Sequence, residues 1–228
     1  PTPTPTEVPT ETPTPTEMPT ATPDLAATAA YEATQASEVL LGEIGEVLAK
    51  VNLTTDNGHI AWVEKGPMPI QVSTAWEERY LPVDDGIVYK TYVLHTDMIW
   101  ESTGGLAGCG IIFHSENNIK FGKQYRFFTI RLSGLPLWDV ELWQHGRWQS
   151  TTTGQAKTNG AINQDNGAVN NIILVVQKGV MAVYANGTRL SNVIIGTGSE
   201  GRVAFFGSQE SGQTTCTFEN NWIWVLDE

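Results

Sequence analysis

Residues 170–190 read NNIILVVQKGVMAVYANGTRL, two short apolar runs and the start of a third element, separated by turn residues. Runs of this length, bounded in this way, predict strands rather than a helix. Asn186-Gly187 is the strongest short-range hairpin signal, because both central residues of a type I′ turn need positive φ. Lys178-Gly179 makes a similar turn one strand earlier. The segment predicts three antiparallel strands in a meander.

The same grammar extends in both directions. From residue 58 onward helical periodicity is absent, and further strands are predicted at HIAWVE, IVYKTYVLHTDMIW, GCGIIFHS, QYRFFTIRLSG, LWDVELWQ, RWQSTTT, GRVAFFGS and TTCTFENNWIWVL. About eleven short strands in the last 176 residues imply an all-β domain. Two antiparallel sheets packed face to face, a jelly-roll sandwich, are the expected architecture.

The order GCGIIF, YRFFTIRLSG, LWDVELW, NGAVNNIILVVQKGVMAVYANGTRL, GRVAFFG and CTFENNWIWVL resembles the concanavalin A-like lectin/glucanase superfamily. It looks most like the laminin-G-like or family-16-related sandwich domains of bacterial surface proteins. The likeness rests on a strand ending in Tyr-x-Asn-Gly and a last strand with Phe-acid-Asn before an aromatic, and it covers about residues 55 to 228. It implies the fold more than the function, since such sandwiches serve as lectins, glycosidases, adhesion modules and spacers.

Upstream the composition changes twice. Residues 1–23 are mostly Pro and Thr, with Glu7, Glu11 and Glu17 between them. Proline fixes φ and removes amide donors, so the segment is expected to be disordered or an extended polyproline II stalk of about 70 Å. Thr2, Thr4, Thr6, Thr10, Thr12, Thr14, Thr16, Thr20 and Thr22 are candidate acceptors of O-linked sugars on such a tract. An unglycosylated linker is the alternative. The tail also resembles stalks on surface proteins of filamentous environmental bacteria.

Residues 24–52 are proline-free and rich in Ala, Glu and Leu, and predict one N-terminal α-helix entered through Pro23 and Asp24. Leu40, Ile44, Val47, Leu48 and Val51 form a single apolar stripe. The stripe either docks on the domain or pairs with a second copy of the chain, with Gly42 and Gly45 permitting close approach in a homo-oligomer. The predicted organisation is therefore a stalk at 1–23, a helical segment at 24–52 and the sandwich at 53–228.

The net charge of −12 is shared between the parts: eight acidic and one basic residue up to residue 52, then 17 and 12. Neither part carries the basic patch that nucleic acid or an anionic membrane surface requires. No apolar run approaches the roughly 20 residues of a membrane span. The chain begins at Pro1 without a charged n-region and apolar h-region, which reads as a mature or truncated form. Cys109 and Cys216 both fall in strand-like segments. The extracellular character of the tail predicts a disulfide between them, two buried thiols being the alternative.

The stretch QYRFFTIRLSGLPLWDVELWQHGRW carries the candidate ligand site. Placing Phe128, Ile130 and Leu132 on the core side turns Tyr125, Phe127, Thr129 and Arg131 outward. Placing Trp138, Val140 and Leu142 inward turns Asp139, Glu141 and Trp143 outward. Across a hairpin these rows gather a guanidinium, two carboxylates and aromatic rings, which the resemblance puts on a concave face, and Trp148 extends the platform. Flat rings for pyranose C–H faces and fixed polar groups for hydroxyls are what a sugar needs. The alternative is a cross-strand ion pair of Arg131 with Asp139 or Glu141.

Hydrolysis is the less favoured expectation. A retaining glycosidase needs two carboxyls about 5 to 5.5 Å apart. Resembling family-16 enzymes use a Glu-x-Asp-x-x-Glu pattern, of which WDVELW offers only Asp139 and Glu141. His59, His95, His114 and His145 lack metal-ligand spacing, and no Gly-x-Ser-x-Gly elbow occurs. Loop oxygens near Asp56 and Asp165 suggest calcium or, more simply, Asx-turns. Asn52-Leu53-Thr54 and Asn186-Gly187-Thr188 match the N-glycosylation sequon. The expectation is an extracellular, cell-surface, non-catalytic lectin-like domain that needs no cofactor and binds glycan or matrix. A structural, self-assembling subunit is the alternative.

Overall fold

The computed structural model describes residues 25–132, 135–196 and 200–227, with side chains described from residue 35. The Pro/Thr stalk, its threonines and the Pro23-Asp24 helix start lie outside the described residues. The chain divides into two units, residues 1–43 and 44–228. Helix α1 (Leu25–Lys50) is the described element of the first and ends in the second.

In the second unit Ile44 and Leu48 of α1 are fully buried, as is most of Val51, so the predicted stripe from residue 44 onward is occupied within this chain. The helix stops on a left-handed Asn52 (φ 62°), a conformation asparagine tolerates better than most residues. Asn52 N–H donates to Ala49 O (3.2 Å) and Leu53 N–H to Leu48 O (3.0 Å), the two bonds of a Schellman cap. A 3₁₀ turn, Thr55–Asn57, leads into the sandwich.

Fourteen strands follow: β1 (Gly58–Glu64), β2 (Met68–Val72), β3 (Glu78–Pro82), β4 (Tyr92–Ser102), β5 (Leu106–Ser115), β6 (Gln124–Leu132), β7 (Leu135–Gln144), β8 (Arg147–Thr151), β9 (Lys157–Thr158), β10 (Val169–Gln177), β11 (Val180–Ala185), β12 (Thr188–Ile194), β13 (Arg202–Gln209) and β14 (Thr214–Leu226). They form two antiparallel sheets. Sheet A has the order β1-β14-β4-β10-β11-β12, with β2 also on β14; sheet B has the order β3-β13-β5-β6-β7-β8, with β9 also on β7. The fold is an all-β sandwich with one helix on its N-terminal side.

The meander read from residues 170–190 is present. Lys178-Gly179 (φ 51° and 74°) joins β10 to β11, and Asn186-Gly187 (φ 48° and 77°) joins β11 to β12. Alternate residues of β10, Ile172, Leu174 and Val176, enter the core between the sheets. Ile173 and Val175 face the other way and are buried too, as are Val93, Trp222 and Trp224 on neighbouring strands, so the outer face of sheet A is covered. His95 on this face stacks on Trp222 with centroids 5.1 Å apart, and burial holds its imidazole below the ordinary histidine value, against the opposing hydrogen bond to Asn220 O.

The inter-sheet core is aromatic and aliphatic, with Phe205 of sheet B stacked on Phe218 of sheet A at 4.2 Å. The predicted disulfide joins Cys109 of β5 to Cys216 of β14, with 5.6 Å between Cα atoms, and so fastens one sheet to the other. Gly207 stands opposite Cys109 in the ladder. A Cβ on Gly207 would come within 3.0 Å of Cys216 Sγ, so the residue must be small to admit the bridge.

Two expectations need correction. Strands β2, β3 and β9 were not anticipated, because MPIQV contains a proline, ERYLP is mostly polar and KT is only two residues. The strand predicted from Ile87 begins at Tyr92; residue 89 makes only an isolated bridge to Gly201.

Candidate functional site

Strand β6 presents QYRFFTIRL with apolar residues on both faces, and the structure chooses the row opposite to the expected one. Tyr125 and Phe127 belong to the inter-sheet core and Thr129 is fully buried on the same side. Phe128 belongs instead to a separate cluster with Ile112, Ala204 and Phe206 on the outer face of sheet B. The outward row of β6 is therefore Arg126, Phe128 and Ile130.

This inversion moves two of the anticipated residues away from the site. Tyr125 turns inward and its hydroxyl donates to Ile195 O at 2.8 Å. Arg131 pairs with Pro136 in the ladder rather than with Asp139 or Glu141. Its guanidinium reaches Ser102 O (3.1 Å) and Asn166 Oδ1, where it ties β4 to the loop before β10. The alternative weighed from the sequence, a cross-strand ion pair of Arg131 with Asp139 or Glu141, does not form either.

On β7 the expected alternation holds, with Trp138 and Val140 in the core. Asp139 is nonetheless buried and used locally: its Oδ1 accepts from Val140 N (2.7 Å) and from the hydroxyls of Thr151 and Thr153. It latches the segment after β8. Glu141 and Trp143 do come together, joined by a hydrogen bond from Trp143 Nε1 to Glu141 Oε2 at 2.7 Å. Trp148 is half exposed on β8, directly opposite Trp143 in the ladder.

Glu141 and Trp143 line a cleft of about 390 Å³ on the outer face of sheet B, with Trp76, Glu78, Arg126, Phe128, Phe206 and Gln209 among its other walls. Its floor includes Gly108, where a Cβ would sit 3.0 Å from Ser208 Oγ and 3.3 Å from Phe128. A shallower hollow of about 530 Å³ adjoins it, sharing Trp76 and Glu78 and adding Arg79, Tyr80 and Lys120.

Arg126 is the centre of the cleft. Although only 2% exposed, its Nη1 lies 3.2 and 3.1 Å from the two oxygens of Glu78. Its guanidinium carbon sits 3.8 Å from the Trp143 ring centroid, 5.5 Å from that of Tyr80 and 5.7 Å from that of Phe206. A buried cation needs such an enclosure of counter-charge and ring faces. Nη2 donates to the Tyr80 hydroxyl at 3.3 Å, and that hydroxyl donates onward to Glu78. Burial pushes the Tyr80 phenol up to about 12, which keeps it a neutral donor. Burial also raises Glu141 above the ordinary 4.5, against the opposing indole hydrogen bond.

Trp76 stands at the mouth, 73% exposed and in the left-handed region (φ 58°), an uncommon conformation for a bulky residue. The turn that holds it is organised by Glu77, whose carboxylate accepts from Ser73 N (3.0 Å), Thr74 N (2.9 Å) and Arg79 Nε (2.6 Å). The Arg79 bond, with the two amides behind it, holds the Glu77 carboxyl down at about 2. Strain at an exposed aromatic is the kind of feature that marks a working surface.

Sequence reasoning missed Arg126, Glu78, Tyr80 and Trp76. For Arg126 a signal existed: it shares parity with Phe128 and Ile130, and an arginine seldom points into a core. The signal was cancelled because Arg131 carries the same message for the other row. Among the described residues no group of three or more His, Cys, Asp and Glu gathers as a metal cluster. Near Asp165, the oxygens of Asn163, Asn166 and Asn170 all accept hydrogen bonds from neighbouring residues.

No protein-family model matches the sequence, and no curated protein matches it. Solved structures do match. A carbohydrate-binding module, CBM66 from Bacillus subtilis, aligns at TM-score 0.53 and 11% identity over 72% of this chain and 94% of that one. A protein of unknown function with a galectin-like fold, also from Bacillus subtilis, aligns at 0.52 and 7% identity over 75% and 89%. A Bacillus licheniformis β-glucanase aligns at 0.50 and 9% identity over 75% and 87%. At such identities the likeness speaks for the fold alone: this chain carries a two-sheet jelly-roll sandwich.

Proposed function

We propose that the protein is an extracellular, non-catalytic carbohydrate-binding domain whose ligand lies in the outer cleft of sheet B. The observation that carries this reading is the cleft itself. An immobilised guanidinium, the carboxylates of Glu77, Glu78, Glu141 and Glu210, and the rings of Trp76, Trp143 and Phe206 share one concavity of about 390 Å³. Sugars are recognised by such a mixture of flat apolar faces and fixed polar groups. The aligned structures, a carbohydrate-binding module, a protein with a galectin-like fold and a β-glucanase, support the same class. The Cys109–Cys216 bridge and the Pro/Thr tract of residues 1–23 support display outside the cell, with the threonines carrying O-linked sugars.

The favoured polar groups are bound to one another in a way that suits holding a ligand better than turning it over. Glu78 is engaged by Arg126 and Tyr80, and Glu141 by the Trp143 indole. A glycan array with the full chain should give binding to at least one soluble polysaccharide, and Trp143→Ala should weaken it tenfold or more without loss of circular dichroism. Release of reducing sugar by the native chain, abolished in Glu141→Gln, would replace this reading with glycoside hydrolysis. Unchanged binding in both Trp143→Ala and Trp76→Ala would move the site elsewhere.

A further inference from the structure

The cleft contains a polar group that the fold does not satisfy. Arg126 is 2% exposed, its two terminal nitrogens are taken by Glu78 and Tyr80, and its Nε is a buried donor with no partner. Buried donors without acceptors are rare and call for an explanation. The carboxylates of Glu78 and Glu141 line the same cleft and accept. A hydroxyl, which both donates and accepts, answers the two kinds of group at once. An ammonium has no lone pair to offer Nε, and a carboxylate brings no proton to Glu141.

The space for such a ligand does not end at the cleft. The adjoining hollow of about 530 Å³ shares Trp76 and Glu78 with it and more than doubles the room available. Lys120 is part of the hollow's wall, and the next residue, Phe121, is 52% exposed with the Lys120 ammonium 5.4 Å from its ring centroid. The loop that carries both is braced: Asn118 Oδ1 accepts from Lys120 N (3.2 Å) and Phe121 N (3.1 Å), and Glu116 Oε2 accepts from Lys123 N (3.0 Å). The β7–β8 turn is bare beside the ring, since a Cβ on Gly146 would come within 2.9 Å of Phe121 Cδ1. Trp76 is held on its own turn by Glu77. Exposed rings fixed in this way are organised in advance for a flat partner.

The two spaces differ in charge. Glu77, Glu78, Glu141 and Glu210 line the cleft against Arg126, whereas Arg79 and Lys120 line the hollow against Glu78. A polymer of either sign is favoured in one and repelled in the other, so an uncharged one suits the pair. Resting on the carbohydrate reading, we infer that the protein binds a stretch of a neutral polysaccharide, seating hydroxyls at Arg126 and Glu141 in the cleft and running on through the hollow to Phe121.

The test is titration calorimetry of the full chain with glucan, mannan and xylan oligomers of two and six units, and with six-unit galacturonate and glucosamine oligomers as charged probes. In at least one neutral series the hexamer should bind about tenfold or more tightly than the dimer and more tightly than either charged probe. Its affinity should stay within about twofold between 50 and 500 mM salt, since screening acts on charge. Phe121→Ala should bring the hexamer most of the way down to the dimer, and Lys120→Ala, at an exposed position, tests the same hollow should Phe121→Ala fold poorly. Ile194→Ala, on β12 of the other sheet, should change neither. Equal affinity for dimer and hexamer, or a hexamer advantage that survives both loop variants, overturns the extended site and leaves the carbohydrate function standing. A charged hexamer that binds most tightly overturns the neutral class, and binding of no saccharide overturns the carbohydrate reading as well.

Discussion

Arg126 shows how a charge is made tolerable where a sheet surface is closed over by rings. Its neighbours are not interchangeable: Glu78 supplies counter-charge, Tyr80 relays a hydrogen bond, and Trp143 covers the guanidinium plane. Two acidic side chains beside it behave oppositely with pH. Burial raises Glu141, so the folded state resists its ionisation; the resulting penalty is absent below about pH 4.5 and grows as pH rises through the folded value. Glu141→Gln should therefore gain urea stability relative to the parent at pH 7 and lose that gain by pH 4. Glu77 is depressed to about 2, so its contribution is fully present above pH 4.5 and disappears as pH falls toward 2. Glu77→Gln should be less stable than the parent at pH 6 and match it near pH 2, as read by urea midpoints.

Among the elements, β10 and β6 show what could and could not be read in advance. In β10 to β12, two turns requiring left-handed residues pin the register, and Lys178-Gly179 and Asn186-Gly187 announce both in the sequence. In β6 both faces are apolar, because the outer face of sheet B has its own cluster around Phe128 and Phe206, and alternation loses its meaning. Half of the site was lost with that parity. The other half lay on β3, where ERYLP shows no apolar alternation and its value comes only from pairing with β13. Glu141 and Trp143 were legible because β7 carries Trp138 and Val140 unambiguously on one side. The bridge between β5 and β14 depends on Gly207 of β13. Gly207→Ala should overpack against Cys216 and cost about 1 to 3 kcal/mol. Cys109→Ser with Cys216→Ser should cost about 4 to 5 kcal/mol on the chain-entropy model for a loop of this size, both measured by equilibrium unfolding.

At the scale of the molecule, the last described strand is an interior one of its sheet. β14 lies between β4 on one side and β1 with β2 on the other, pairing Gly58 with Leu226 and Thr214 with both Val72 and Ser102. A ribosome delivers the chain in order, so three strands wait for a partner that is synthesised more than a hundred residues after they are. Sheet A cannot close on the nascent polypeptide, and neither can the covalent fastening, since Cys216 arrives with the same late strand. The domain must stay open until translation passes Leu226. Refolding should accordingly be a single slow event on the millisecond-to-second scale typical of sandwiches dominated by distant pairings. Stopped-flow tryptophan fluorescence of the full chain will show whether one phase suffices.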